Sequence, residues 1–159
     1  MPRAPKPSGE QGHLFDPTSW QSLVAACTQI ARDLGLDVET EVYVGRRLWG
    51  ARRRIDLVVT DSTLRRSLGI EVKYQRVSGS AEEKIPATID DIAAWPIPGI
   101  VVFHGAGFSG HMRSWLQAAG KAVELEDLET WLRLYFVLGP GRTSLADVES
   151  SDRRSSSAG

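Results

Sequence analysis

Arg54-Ile55-Asp56-Leu57-Val58-Val59-Thr60, a polar turn, then Leu68-Gly69-Ile70-Glu71-Val72-Lys73-Tyr74-Gln75: the fold is decided in these two runs. Ile55, Leu57 and Val59 alternate with Asp56, Val58 and Thr60. Ile70, Val72 and Tyr74 alternate with Glu71, Lys73 and Gln75. Alternation of period two is the mark of a strand with one face in a core. An antiparallel hairpin turning near Thr63 and Leu64 would bring Asp56 opposite Glu71, and facing residues on one side of such a pair have Cβ atoms about 4.5–5.5 Å apart. The pattern therefore predicts two carboxylates and an ammonium on the same side of one sheet.

Upstream, Trp20, Leu23, Val24, Cys27, Ile30, Ala31 and Leu34 recur at spacings of three and four, one stripe of an amphipathic helix. Asp16 or Thr18 is expected to cap it, Pro17 suits its first turn, and Gly35 ends it. Cys27 falls within the stripe, which assigns it to packing. Val38, Val42 and Val44 then alternate with Glu39, Glu41 and Tyr43 as a further strand. A turn at Leu48-Trp49 would carry Glu41 opposite Asp56, whereas a turn at Gly50-Ala51 would shift that register. Trp49, set among arginines, suits either stacking on a base or sugar or covering a sheet edge.

Downstream, Ser80 with Glu83 has the capping-box pattern, and Ile85, Ile89 and Ile92 stripe a second helix that holds Pro86. Lys84 would project from its start near the strand ends. Ile100-Val101-Val102-Phe103 is a continuous apolar run, the signature of a central strand buried on both faces with helices on either side. A helix capped by Ser109 and running through Ala119, a short strand from Lys121 to Leu125 and a last helix striped by Leu128, Trp131, Leu132 and Tyr135 complete the order. Residues 1–13 and 139–159, rich in Pro, Gly, Ser and charge, read as flexible tails around a single domain over 14–138.

The chain has 159 residues, 42% of them hydrophobic, enough for one domain with a real core. No apolar run approaches the roughly 20 residues that span a bilayer, and the first residues lack the apolar centre of a secretory signal. The lone cysteine, Cys27, rules out an intramolecular disulfide and any multi-cysteine zinc site, and it suits a reducing cytoplasm. The net charge of −1 is uninformative, but its distribution is not. Arg46, Arg47, Arg52, Arg53, Arg54, Arg65, Arg66, Lys73 and Arg76 lie in or beside the central strands. A patch of this kind can hold a polyanion on a neutral protein; the plainer role of such charges is solubility and turn chemistry.

Two carboxylates on adjacent strands, with the Val72 carbonyl between Glu71 and Lys73, offer hard oxygen ligands for Mg²⁺ or Mn²⁺. Lys73 shares the face of Glu71 and can orient a water or neutralise charge developing on a phosphate. The plainer alternative is a salt bridge on a solvated sheet. At these residues the sequence resembles the PD-(D/E)XK nuclease superfamily: Ile55-Asp56, then Glu71-Val72-Lys73 after 15 residues, extended by Tyr74-Gln75. The segment Ser78–Lys84 is similar to the opening of the following helix in some members. Ile55 stands where the family motif has proline. The resemblance covers roughly Trp20 to Phe103. It implies a restriction-endonuclease-like α/β fold, with a mixed central sheet flanked by helices in the order α-β-β-β-α-β and a C-terminal α-β-α. It also implies a metal-dependent DNase of the restriction, homing, junction-resolving or repair type. Asp56 and Glu71 would be metal ligands together with the Val72 carbonyl, and Lys73 the catalytic lysine. An additional acid would come from Glu41 or Glu39, and Gln75 would position water or phosphate. Arg46, Arg47, Arg52, Arg53, Arg54, Arg76, Ser80 and Lys84 would meet the DNA, and a homodimer would supply two active sites for a double-strand cut.

Two other readings compete. Gly105-Ala106-Gly107-Phe108-Ser109-Gly110 matches G-x-G-x-x-G between a strand and a helix, with Glu124 and Glu126 near the offset of a ribose-binding acid. That would make a dinucleotide site, but too little chain follows for a doubly wound sheet, and Asp56, Glu71 and Lys73 would go unexplained. The third reading keeps the fold as a DNA-binding or assembly module without catalysis.

Overall fold

A computed structural model describes residues 16–46, 50, 52–76, 81–118 and 120–139, without the side chains at 81–84 and 115–117. Helix α1 (Trp20–Asp33) leads into strands β1 (Asp37–Arg46), β2 (Arg52–Asp61) and β3 (Arg66–Tyr74). Helix α2 (Ala81–Ala93), strand β4 (Gly99–His104), helix α3 (Gly110–Ala118), strand β5 (Ala122–Glu124) and helix α4 (Leu128–Tyr135) follow. The sheet order is β1-β2-β3-β4-β5. Its first two pairings are antiparallel and its last two parallel, a mixed sheet. The expected tails, 1–13 and 139–159, lie outside the described residues except for Gly139.

Each element forms where its sequence favours it. The α1 stripe buries Leu23, Ala26, Cys27 and Ala31. Its cap is Ser19 rather than the expected Asp16 or Thr18, because Ser19 and Ser22 exchange side-chain and backbone hydrogen bonds in a capping box. Gly35 closes the helix at φ +78°, a conformation glycine adopts without steric cost. The β2–β3 turn is centred on Thr63 and Leu64, whose backbone N–H groups both donate to Asp61 Oδ1 (2.8 and 3.1 Å). Ser109 Oγ accepts from Met112 N–H at 3.1 Å to start α3.

The sheet divides two apolar layers. Leu57, Val59, Ile70, Val72, Ile100 and Val102 face α1 and α4. Val58, Val101 and Phe103 face the α2 and α3 side. β4 feeds both layers and is buried throughout except at His104, as its unbroken apolar run implies.

One feature departs from strict alternation. Ile55 packs with Val58, Ile92 and Trp95, on the side opposite Leu57 and Val59. Val38 likewise packs on the α1 side, whereas Val42 and Val44 pack on the other. Both strands change face at one place, where Glu41 lies across from Asp56 and takes φ +52°. A left-handed residue inside a strand interrupts the pleat and twists the ribbon. Beyond that point the β1–β2 arm rolls toward α2 and leaves β3, whose pairing with β2 runs only from Leu57↔Ile70 to Asp61↔Arg66.

Candidate active site

The departure of the arm exposes an edge of β3 at Val72, and the candidate site is built on that edge. The Val72 N–H, with no strand partner on this side, donates to Asp56 Oδ2 at 2.8 Å. The Val72 carbonyl accepts from Trp20 Nε1 of α1 at 3.2 Å. Glu71 and Lys73 flank Val72 and pair with each other, Nζ to Oε1, at 2.7 Å. The side chains of both remain open to solvent, at 19% and 30% exposure respectively.

The Asp56 carboxyl is held above the ordinary carboxylate range. Burial, and after it the neighbouring charge of Glu71, lift its carboxyl from an ordinary 3.8 to about 6. The Val72 N–H and the Lys73 ammonium oppose that rise without cancelling it. Beneath it, burial lifts the Cys27 thiol to about 12, with a smaller push from Asp56. Such a thiol is a packing group and no nucleophile.

Two carboxylates and one main-chain carbonyl thus gather around Val72. All are hard oxygen donors of the kind that Mg²⁺ or Mn²⁺ takes. The carbonyl has two lone pairs and gives one to Trp20. Burial and the Glu71 charge raise the Asp56 pKa, and a divalent cation placed between the two acids would offset that cost. No group of three or more His, Cys, Asp or Glu side chains able to hold a metal occurs among the described residues, so further ligands would be water or phosphate oxygens.

The remaining candidates lie apart. Gln75 is turned away from this edge and buried, donating from Nε2 to the Gly107 carbonyl at 2.9 Å. Its own carbonyl accepts from Gly107 N–H at 2.9 Å, so Gln75 clamps the loop after β4. Glu41 is exposed and ion-paired with Arg54 at 3.3 Å, because its left-handed backbone carries the side chain off the ladder. Arg53 pairs with Asp91 of α2 at 3.1 Å, Arg46 reaches the Gly50 carbonyl at 2.9 Å, and Arg52 lies 5.2 Å from the Tyr43 ring centroid. Arg76 is exposed just past β3. Arg47, Trp49 and Ser80 lie outside the described residues, and Lys84 is placed in α2 without its side chain.

The glycine-rich loop is accounted for by packing. At Gly105, φ is +117° and a Cβ would meet the Gln75 carbonyl oxygen at 2.2 Å. The Gly107 N–H already donates to Gln75, and Arg113 spans the Gly105 carbonyl (2.8 Å) and Glu124 (2.8 Å). His104, at the end of β4, sits between Asp16 (2.9 Å) and Glu126 (3.4 Å).

Trp20 is the residue that sequence reasoning missed. Its spacing reads as one more member of the α1 stripe, and nothing local signals a contact with a residue 52 positions away.

A family model described as a PD-(D/E)XK nuclease superfamily domain matches residues 13–135. No curated protein matches. Among similar solved structures is a protein of unknown function, AF1548, at 14% identity and TM-score 0.46, covering 83% of this chain and 77% of that one. Another is protein VC1899 from Vibrio cholerae, at 16% identity and TM-score 0.46, covering 72% of this chain. This chain spans 32% of VC1899, about a third of its length.

Proposed function

This chain belongs to the PD-(D/E)XK nuclease superfamily, and from that premise we propose that it is a metal-dependent DNA endonuclease. The observation that carries the reading is the meeting of Asp56, Glu71 and Lys73 around the open edge of β3 at Val72. Asp56, Glu71 and the Val72 carbonyl would hold Mg²⁺ or Mn²⁺. A cation bound there supplies positive charge at the scissile phosphate and acidifies a water.

The protein's own groups do the rest. The Val72 N–H fixes Asp56 Oδ2, and the Asp56 carboxyl meets that of Glu71 beside it. Glu71 holds the Lys73 ammonium at 2.7 Å, where it can steady an attacking water or offset charge developing on the phosphate oxygens. Arg46, Arg52 and Arg54 on the β1–β2 arm and Arg76 past β3 would grip the DNA backbone away from the acids. One such set per chain means that a double-strand cut takes two copies, so the working form would be a homodimer. The free, buried Cys27 suits work in a reducing cytoplasm.

Incubation with plasmid, linear and branched DNA in Mg²⁺, Mn²⁺ or EDTA tests the reading. Cleavage that needs the metal and is lost in Lys73→Ala supports it. Binding without cleavage under every condition would replace it with the non-catalytic module.

A further inference from the structure

The helix stripe that buries Leu23, Cys27 and Ala31 does not bury Trp20, which stands 39% exposed at its first residue. A tryptophan at the end of an apolar stripe ordinarily turns onto the core or swings freely in solvent. This one does neither. Its Nε1–H is tied to the Val72 carbonyl at 3.2 Å, and the helix start beneath it is fixed by the Ser19–Ser22 box. The indole is therefore anchored by one edge against the same residue whose N–H fixes Asp56. An anchored, partly bare aromatic ring beside groups suited to a phosphodiester is a surface onto which a base can stack, with part of its ordering already made by the anchor. A base inside a duplex is already stacked on its neighbours and must first be unpaired and unstacked, at a cost of about a few kcal/mol, to lie on a side chain. An unpaired one can.

We infer that Trp20 is a base-stacking residue of this site, and that the substrate presents an unpaired nucleotide next to the phosphate that is cut, as at a single strand, gap, flap or branch. The inference rests on the nuclease reading for the phosphate, but its test does not require cleavage. In EDTA, fluorescence anisotropy would compare binding of a labelled oligothymidylate and of a blunt duplex of equal length. Trp20→Ala should weaken the single strand by about 5- to 100-fold and the duplex by less than about twofold. Trp20→Phe, which keeps a ring but loses the N–H that anchors it, should fall between wild type and Trp20→Ala for the single strand.

Tryptophan emission gives a second readout if Trp20→Ala does not fold. Oligothymidylate should quench the wild type, and that quenching should largely vanish in Trp20→Phe. Equal weakening of both probes, no weakening of either, or quenching unchanged in Trp20→Phe would overturn the inference. Selective single-strand binding without cleavage in any metal would defeat the nuclease reading and leave the stacking role standing. Metal-dependent cleavage indifferent to Trp20→Ala would do the reverse.

Discussion

Replacing Asp56 with asparagine should make the protein more stable and inactive at once. Burial and the Glu71 charge hold the Asp56 carboxyl at about 6 against an ordinary 3.8. A displacement of that size corresponds to about 3 kcal/mol if the group were fully shielded. Asp56 is only partly buried, and solvent screening reduces the figure to about 1.5 kcal/mol. The sign follows from proton counts. Between pH 4 and 6, roughly, the folded state binds more protons than the unfolded chain, so stability falls as pH rises through this window. Above it the full cost of the carboxylate is present. Asparagine removes the charge, while its carbonyl can still accept from Val72 N–H. In a domain of this size about 1.5 kcal/mol raises the melting temperature by roughly 5 °C.

Thermal melts of wild type and Asp56→Asn at pH 8, pH 6 and pH 4 check the reasoning. The variant should gain its full advantage at pH 8 and lose it at pH 4. Mn²⁺ should stabilise the wild type and not the variant. A variant less stable than wild type at pH 8, or an advantage equal at all three values, would refute the account of Asp56 as an under-compensated buried acid.

Lys73→Ala should lower DNA cleavage by about 100-fold or more while DNA affinity, read by gel shift, changes little. Gly105→Ala should destabilise by about 2–4 kcal/mol in urea melts, because its Cβ would meet the rigid Gln75 carbonyl oxygen at 2.2 Å with φ at +117°. Val137 ends α4 at φ +54°, where a β-branched side chain is strained and where 77% of the residue is exposed. Val137→Gly should therefore stabilise by about 1 kcal/mol, seen as a higher denaturation midpoint at unchanged slope.

Much of the architecture is written in local patterns along the chain. Its alternating runs, the continuous apolar stretch at Ile100 to Phe103 and the α1 stripe set the element order and identified the doubly covered strand. The turn centred on Thr63 and Leu64 fixed how far β2 and β3 pair, and with it the closeness of Asp56 to Glu71. All of these are local signals: apolar periodicity and turn chemistry specify which side of an element is greasy and where the chain reverses.

The make-up of the site, by contrast, came from contacts between distant residues. Nothing in Val-Tyr-Val or Arg-Ile-Asp announces that β1 and β2 change face at Glu41 and Asp56, since a left-handed glutamate is sustained by its surroundings and no glycine marks it. That twist frees the edge of β3, sends Glu41 out to Arg54 and leaves Val72 to Asp56 and Trp20. Gln75, which the motif places beside the acids, is claimed instead by a loop 32 residues away. The raised Asp56 pKa likewise depends on what is packed over and beside the carboxyl, which no pattern along the chain records. Periodicity tells each strand which face to bury; which groups then meet at an opened edge is settled by contacts between residues far apart in sequence.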